Sequence, residues 1–518
     1  MTVRAGTSKD YFKRLWGKHG RILLVALLFV FAFFRTAGLQ RFLTHAPNTG
    51  DAVANVVGAY NLAYHGVISN SENAEENLAP TNYREPLPIF FLAAHIRLHP
   101  TLSSGHSVKT INEGKASGAL KQHNLFWAFL VLVGVGLTCF TAIRPAAMAL
   151  PSALIAMHGV QVIFLQSSGI IDMMVTEIQA AALLAWIAFA LVRSMRSGRL
   201  LCFAASGLLI GFLALTKGIF CYVGPAFIAV LFIIRFIPRN IGSKRRTALC
   251  FGVMFLAMNL VVLPWMVRNW LKLGAFEVTQ RSGVVMMIRA HMELMSDLEY
   301  KGAFWYCAPA LLRRGEMDLF KDLHFSMKDL GEGGRLQRLN RSNDSAFAVR
   351  DLAAEKAGRP DAALSFYRAG RAERIRLENH YRELGAANPS HLADRDMRRE
   401  AMRIFMADPW RHLRMSALFL WRGLWCMEAG PLPGWLLFLL NGLSFLALCG
   451  MAIGGIFRNH PLSLGLVLLP VGAIALMALT THFIPRYASM LIPNMLMALV
   501  IVTAWGLIWL CRKLRRFF

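Results

Sequence analysis

The 518 residues predict an all-α membrane protein with about ten transmembrane helices, on three observations. The chain is 56% hydrophobic and only 17% charged, with a mean hydropathy of +0.44, outside the range of soluble domains. The basic residues behind its net charge of +26 stand in short clusters beside apolar runs, as cytoplasmic loop ends do, which argues against nucleic acid as a partner. The eight cysteines contain no CxxC pair and lie mostly inside hydrophobic runs, so neither a disulfide framework nor a zinc site follows.

Arg4, Lys9, Lys13, Arg14, Lys18 and Arg21 precede the first apolar run, Ile22 to Phe34, which reads as an uncleaved span starting in the cytoplasm. The polar loop that follows, within 35–124, is then extracytoplasmic. In it Asp51 opens an amphipathic helix, with Ala52, Val53, Val56, Val57, Tyr60, Ala63 and Tyr64 at helical spacing, suited to the membrane interface. Tyr83-Arg84-Glu85-Pro86-Leu87-Pro88 closes the polar stretch, and Leu87 to Ile96 is too short to cross, so it reads as interfacial or re-entrant. Six spans come next: Leu125 to Ile143, Ala146 to Leu165, Met174 to Leu191, Leu200 to Thr216, Ile219 to Ile234 and Ala248 to Val267. Arginine and lysine clusters after residues 192 and 234 keep the alternation of sides.

From residue 268 to 412 hydrophobicity stops, acids mix with bases, and the pattern predicts a small water-exposed helical domain with a Gly- and Arg-rich stretch at Gly331 to Ser342. Leu413 to Met427 is short and carries Arg414 and Arg422, so it reads as interfacial. Trp435 to Ile456, Leu462 to Leu479 and Met490 to Leu510 complete the count, with Arg512, Lys513 and Arg515 cytoplasmic. The expected units are thus a membrane module, 1–267, an extracytoplasmic helical domain, 268–412, and a C-terminal membrane module, 413–518.

This topology gathers Asp51, Glu85, Asp172, Glu177, Lys217, Arg268, His482, Arg486 and Tyr487 at the extracytoplasmic face. Each has a plainer reading: Asp51 as a helix cap, Lys217 and Arg268 as snorkelling cations, His482 as a packed histidine, Tyr487 as part of an aromatic belt. Together they suit a lipid-linked phosphate held by cations beside a carboxylate that takes a proton from an acceptor hydroxyl, which is glycosyl-transfer chemistry. No Gly-rich phosphate loop is visible, and a lipid-anchored donor needs none. A lipid-linked-glycan polymerase or ligase, and a transporter or flippase of lipid-linked sugar, are the alternatives.

Six segments in order carry a family resemblance: Asp51 in the first loop, Tyr83-Arg84-Glu85-Pro86, Asp172-Met173-Met174-Val175-Thr176-Glu177, Leu215-Thr216-Lys217-Gly218, Pro264-Trp265-Met266-Val267-Arg268-Asn269, and His482-Phe483-Ile484-Pro485-Arg486-Tyr487 followed by Pro493. The chain thereby resembles the C-type integral-membrane glycosyltransferases that use polyprenyl-phosphate sugars, in the branch of the aminoarabinose transferase and the protein O-mannosyltransferases. The resemblance implies Asp51 as catalytic base. It implies Lys217 and Arg486 as ligands of the donor phosphate and Glu85, Asp172 and His482 around the sugar or acceptor; to these the chain's own loops and outer face add Arg84 and Arg268 as expected phosphate ligands and Tyr60, Tyr83, Glu177 and Tyr487 around the sugar or acceptor. Members of that group vary in metal dependence, and Asp51, Glu85 and Asp172 are the residues that would hold Mg²⁺ or Mn²⁺. The implied partners are a polyprenyl-phosphate sugar, a lipid, glycan or protein acceptor, and the bilayer of a bacterial inner membrane, with both termini cytoplasmic.

Overall fold

The computed structural model describes residues 8–72, 78–103, 107–237, 241–315, 329, 337–339, 346–427 and 432–515. The stretch expected at Gly331 to Ser342 lies largely outside them. Among the described residues every regular element is a helix. Eight helices are long and apolar enough to cross a membrane: Gly20–Phe42, Gly114–Ala142, Ala146–Gln166, Glu177–Ser197, Ser243–Leu273, Gly434–Phe457, Pro461–Thr480 and Ile492–Leu514.

Two of the ten expected spans fold as shorter apolar helices, Leu200–Ala214 and Phe220–Phe236. Lys217 and Gly218 form the turn between them. The first of the pair is pressed against the long helix Ile241–Leu273 at a small-xxx-small contact: a Cβ on Gly207 would stand 2.1 Å from the carbonyl oxygen of Met254, and one on Gly211 2.7 Å from that of Met258. No larger residue fits there without parting the helices.

The loop helix is Asp51–His65, and most of it is buried. The sequence suggested a helix lying in the interface. It is packed within the protein: Gly58 backs onto Ile89 of the helix Pro86–Leu98, where a Cβ would sit 3.0 Å from the isoleucine, and the uncharged polar side chains find partners inside. Asn55 Nδ2 donates to the carbonyl of Met174 at 2.9 Å, and Asn61 Nδ2 to those of Ser69 and Ser71 at 3.0 and 2.8 Å. An asparagine satisfied by backbone costs little to bury, which is how this helix does without solvent.

Within 268–412 the helices Ser282–His291, Asp297–Tyr306, Ala346–Lys356, Phe366–Glu383 and Pro389–Ala407 are described. Gly283 lies directly on the backbone of Asp394, and Gly370 on Ile288, so three of these helices meet at van der Waals distance. Asp394 Oδ1 accepts from the amides of Gly283 and Val284 at 2.9 and 3.3 Å, satisfying the open end of the Ser282 helix. Val278, Met287, Phe366, Met397 and Phe405 belong to the same hydrophobic core as the spans. The helix Pro409–Leu424, expected as interfacial, has 16 residues and is not among the candidate spans.

Candidate active site

The four segments that build the site are positioned by local backbone chemistry. Gly50 occupies the N-cap position of the loop helix at φ +57°, a left-handed conformation that favours glycine, and this leaves Asp51 as the first helical residue with its carboxylate free to point elsewhere. The cap reading of Asp51 is therefore replaced. Pro86 starts the next helix, and its first turn is tied to the Leu215–Gly218 turn by Leu87 N–H donating to the carbonyl of Leu215 (3.1 Å) and Gly218 N–H to Glu85 Oε1 (3.4 Å). Pro485 opens a short helix that carries Arg486 and Tyr487.

Three guanidinium groups surround the Asp51 carboxylate. Arg84 Nη2 donates to Oδ1 at 2.7 Å and to the Asp51 carbonyl at 2.9 Å, Arg486 Nη2 donates to Oδ2 at 2.6 Å, and Arg281 Nη2 stands 3.6 Å from Oδ1. Burial pushes the Asp51 carboxyl up, but Arg84, Arg281 and Arg486 outweigh it and hold the group far below the usual carboxylate range. A second carboxylate extends the network: Glu177, buried, accepts from Lys217 Nζ at 3.0 Å, with Arg486 Nε 3.7 Å from the same oxygen. The Nε atoms of Arg84, Arg281 and Arg486 are buried without a hydrogen-bond partner among the described residues. The cluster thus holds donors its own carboxylates do not use.

These groups line a cavity of about 920 Å³. Asp51, Arg84, Glu85, Glu177, Lys217, Arg486 and Tyr487, all expected from the sequence, line it. Its walls include Met258, Val262, Met266, Met477 and Met490, and toward the surface the exposed Phe255, Leu263 and Phe276. Arg281, Glu277 and Arg398 complete the charged lining: five cations, Arg84, Lys217, Arg281, Arg398 and Arg486, against four carboxylates, Asp51, Glu85, Glu177 and Glu277. Arg398 Nη1 donates to Glu277 Oε2 at 3.0 Å and to Ser282 Oγ at 3.1 Å.

No family model matches the chain, and neither does any curated protein. Solved structures do. The chain is similar to the crystal structure of the Archaeoglobus fulgidus oligosaccharyltransferase in complex with zinc and sulfate, at 12% identity and a TM-score of 0.48, over 94% of this chain and 50% of that one. It is similar to the same organism's oligosaccharyltransferase AglB in complex with an inhibitory peptide and a dolichol-phosphate, at 12% identity and a TM-score of 0.43, over 97% of this chain and 52% of that one. ArnT from Cupriavidus metallidurans bound to undecaprenyl phosphate matches at 13% identity and a TM-score of 0.33, over 94% of this chain and 78% of that one. The chain spans about half the length of the oligosaccharyltransferase chains.

Five residues expected at the site stand outside the cavity lining. Asp172 accepts from the Thr44 amide (2.6 Å) and hydroxyl (2.7 Å) and pairs with the buried Lys121 at 3.1 Å, fastening the end of the first helix to the 166–176 turn. Arg268 lies over the Trp265 ring at 4.8 Å and donates to Asn269 Oδ1 at 2.9 Å. Tyr60 packs against Tyr64, ring centres 4.7 Å apart. His482 is buried behind Tyr487, whose hydroxyl is 3.4 Å from Nε2. Tyr83 sits on the outer side of the arginine cluster, with Arg374, Arg281 and Arg84 at 4.9, 5.0 and 5.7 Å from its ring centre. Nor do Asp51, Glu85 and Asp172 converge into a donor set for Mg²⁺ or Mn²⁺. Asp51 is taken by guanidiniums and Asp172 by Lys121 and Thr44, and among the described residues no three His, Cys, Asp or Glu side chains are grouped to hold an ion.

Arg281, Glu277 and Arg398 were not legible in the sequence. They lie beyond the last span of the first module, in a region whose composition reads as water-exposed surface, and long-range contacts carry that segment to the site: Gln280 N–H donates to the carbonyl of Asn82 at 3.2 Å, Trp265 Nε1 to that of Val278 at 3.1 Å, and a Cβ at Gly218 would be 3.1 Å from Thr279 Oγ1.

Proposed function

We propose that this chain is a membrane glycosyltransferase that moves a sugar from a polyprenyl-phosphate donor to an acceptor hydroxyl at the extracytoplasmic face of a bacterial inner membrane, with both termini in the cytoplasm. The observation that carries the reading is that a cationic pole and an apolar wall share one cavity. Arg84, Arg281, Arg486 and Lys217 supply charge-assisted hydrogen bonds to a phosphate, and spare N–H groups to make them. Methionines at 258, 266, 477 and 490 line a wall along which an isoprenoid tail lies without leaving apolar surroundings.

In the transfer step a bond forms between the acceptor oxygen and the anomeric carbon while the bond from that carbon to the phosphate oxygen breaks. The polyprenyl phosphate leaves carrying the electron pair, which the guanidiniums and Lys217 stabilise as the charge develops. The acceptor proton goes to Asp51. Glu177 holds Lys217 and Arg486 in place, and Asp172, Arg268, Tyr60 and His482 act as supports of the loops that carry the site. The acceptor is a lipid, a glycan or a protein. Purified protein incubated with a panel of polyprenyl-phosphate sugars should release polyprenyl phosphate with at least one of them. Absence of release with every donor, together with movement of labelled lipid-linked sugar across proteoliposomes, would favour the transporter reading.

A further inference from the structure

We propose that Asp51 is also an internal stand-in for the donor's phosphate: in the ligand-free site its carboxylate occupies the guanidiniums that the phosphate needs, so that phosphate and carboxylate compete and donor binding is what frees Asp51. This rests on the glycosyltransferase reading and adds to it a coupling between binding and chemistry. A carboxylate and the phosphodiester of a polyprenyl-phosphate sugar, or the monoester left after transfer, each present two oxygens that a guanidinium fork can take, so one set of arginines serves either.

The three contacts differ in how firmly they are held. Arg84 is doubly fixed, to the side chain and the carbonyl of Asp51. Arg281 reaches Asp51 only at 3.6 Å, and Arg486 is shared with Glu177 through an Nε 3.7 Å away that makes no hydrogen bond, so these two are the ones held least firmly against an entering anion. A carboxylate clasped by three guanidiniums is a poor base, since its proton affinity is spent on them. Losing one or two to phosphate restores it. Linkage makes the effect reciprocal: whatever the phosphate takes from Asp51's hold on the arginines, Asp51 takes from the phosphate's affinity.

The test is equilibrium binding to full-length wild type and Asp51→Asn in nanodiscs of phosphatidylcholine, with undecaprenyl phosphate, undecaprenol and inorganic phosphate as probes. Asparagine keeps the size and removes the competing charge. Undecaprenyl phosphate should bind the variant about tenfold or more tightly than wild type, as expected for regaining a charge-assisted contact. Undecaprenol should bind both alike, and inorganic phosphate should prefer the variant at higher concentration. Equal or weaker binding of the lipid phosphate by the variant overturns the competition and leaves the glycosyltransferase reading standing. A gain shared by undecaprenol overturns it too, by placing the effect on the tail. Failure of both proteins to bind undecaprenyl phosphate sinks both ideas. Should the variant not fold, infrared difference spectra of wild type labelled with [13C]aspartate decide: undecaprenyl phosphate should shift a carboxylate stretch, and an unchanged carboxylate spectrum overturns the proposal.

Discussion

Replacing Lys217 by Met should cost stability as well as phosphate affinity, because its ammonium lies 3.0 Å from a carboxylate, Glu177, that is only 2% exposed. Stripping the partner from a buried charge costs about 3–5 kcal/mol. Two features reduce that here. Arg486 Nε stands 3.7 Å from the same Glu177 oxygen and retains part of the compensation, and the Lys217 side chain is 18% exposed, so water screens some of what is lost. About 2–3 kcal/mol is the expectation, read by reversible denaturation in a defined detergent. The double variant Lys217→Met/Glu177→Gln removes both charges and should recover most of that loss. It should not recover binding of undecaprenyl phosphate, because the ammonium contact, worth about 1.5–3 kcal/mol, is still missing. The cycle thus separates Lys217 the counter-ion from Lys217 the ligand. A single variant as stable as wild type, or a double variant no more stable than the single one, would refute the reasoning.

Asp51→Asn should leave a folded protein whose sugar transfer, followed as polyprenyl phosphate release, is at least about a hundredfold slower, since losing a positioned base costs about 10² to 10⁴ in rate; transfer within about threefold of wild type would move the base elsewhere. Asp172→Ala removes the counter-ion of the buried Lys121, whose ammonium keeps the Thr44 hydroxyl and the Ala46 carbonyl as acceptors, and should lower stability by about 2 kcal/mol while the folded fraction binds undecaprenyl phosphate as wild type does, because Asp172 lies outside the cavity. Gly207→Leu should fail to give stable protein in a thermal-unfolding assay, since even its Cβ meets the Met254 carbonyl at 2.1 Å. Reporter fusions at Ser69 and Gly385 should read extracytoplasmic, and those at Arg245 and Arg512 cytoplasmic; an inside signal at Gly385 would contradict the proposed orientation.

Hydropathy made the spans legible because a helix facing lipid has to be apolar along its whole length, and that is written in consecutive residues. Where the expectation slipped, a short helix leaned on a neighbour: Leu200–Ala214 presses its glycines into the helix Ile241–Leu273, information that lies in pairs of residues far apart in the chain. The site divides in the same way. Lys217 and Arg486 stand at ends of hydrophobic runs and Asp51 at the start of an amphipathic helix, where a charge attracts notice, and they do line the cavity. Asp172 stands in a similar place but is taken by Lys121, from a stretch that looked merely polar, so position along a span did not separate ligand from fastener. Arg281 precedes an amphipathic helix and resembles any surface arginine until the fold carries it beside Asp51.

The shortness of the helix pair that carries Lys217 has a consequence for the membrane itself. Its 15 and 17 residues reach about 22 and 26 Å, against about 30 Å of hydrocarbon in an ordinary bilayer. A connecting turn on so short a pair either sinks below the level at which longer neighbours end or draws the leaflets together around it, at a cost of fractions of a kcal/mol per ångström. On the proposed function, a leaflet drawn in around the turn would bring the ammonium to the depth of a lipid headgroup, so that the donor would not have to leave its leaflet to react. If the proposed function holds, turnover should be higher in bilayers of short acyl chains, which relieve the mismatch, than in thick ones, which bury the turn.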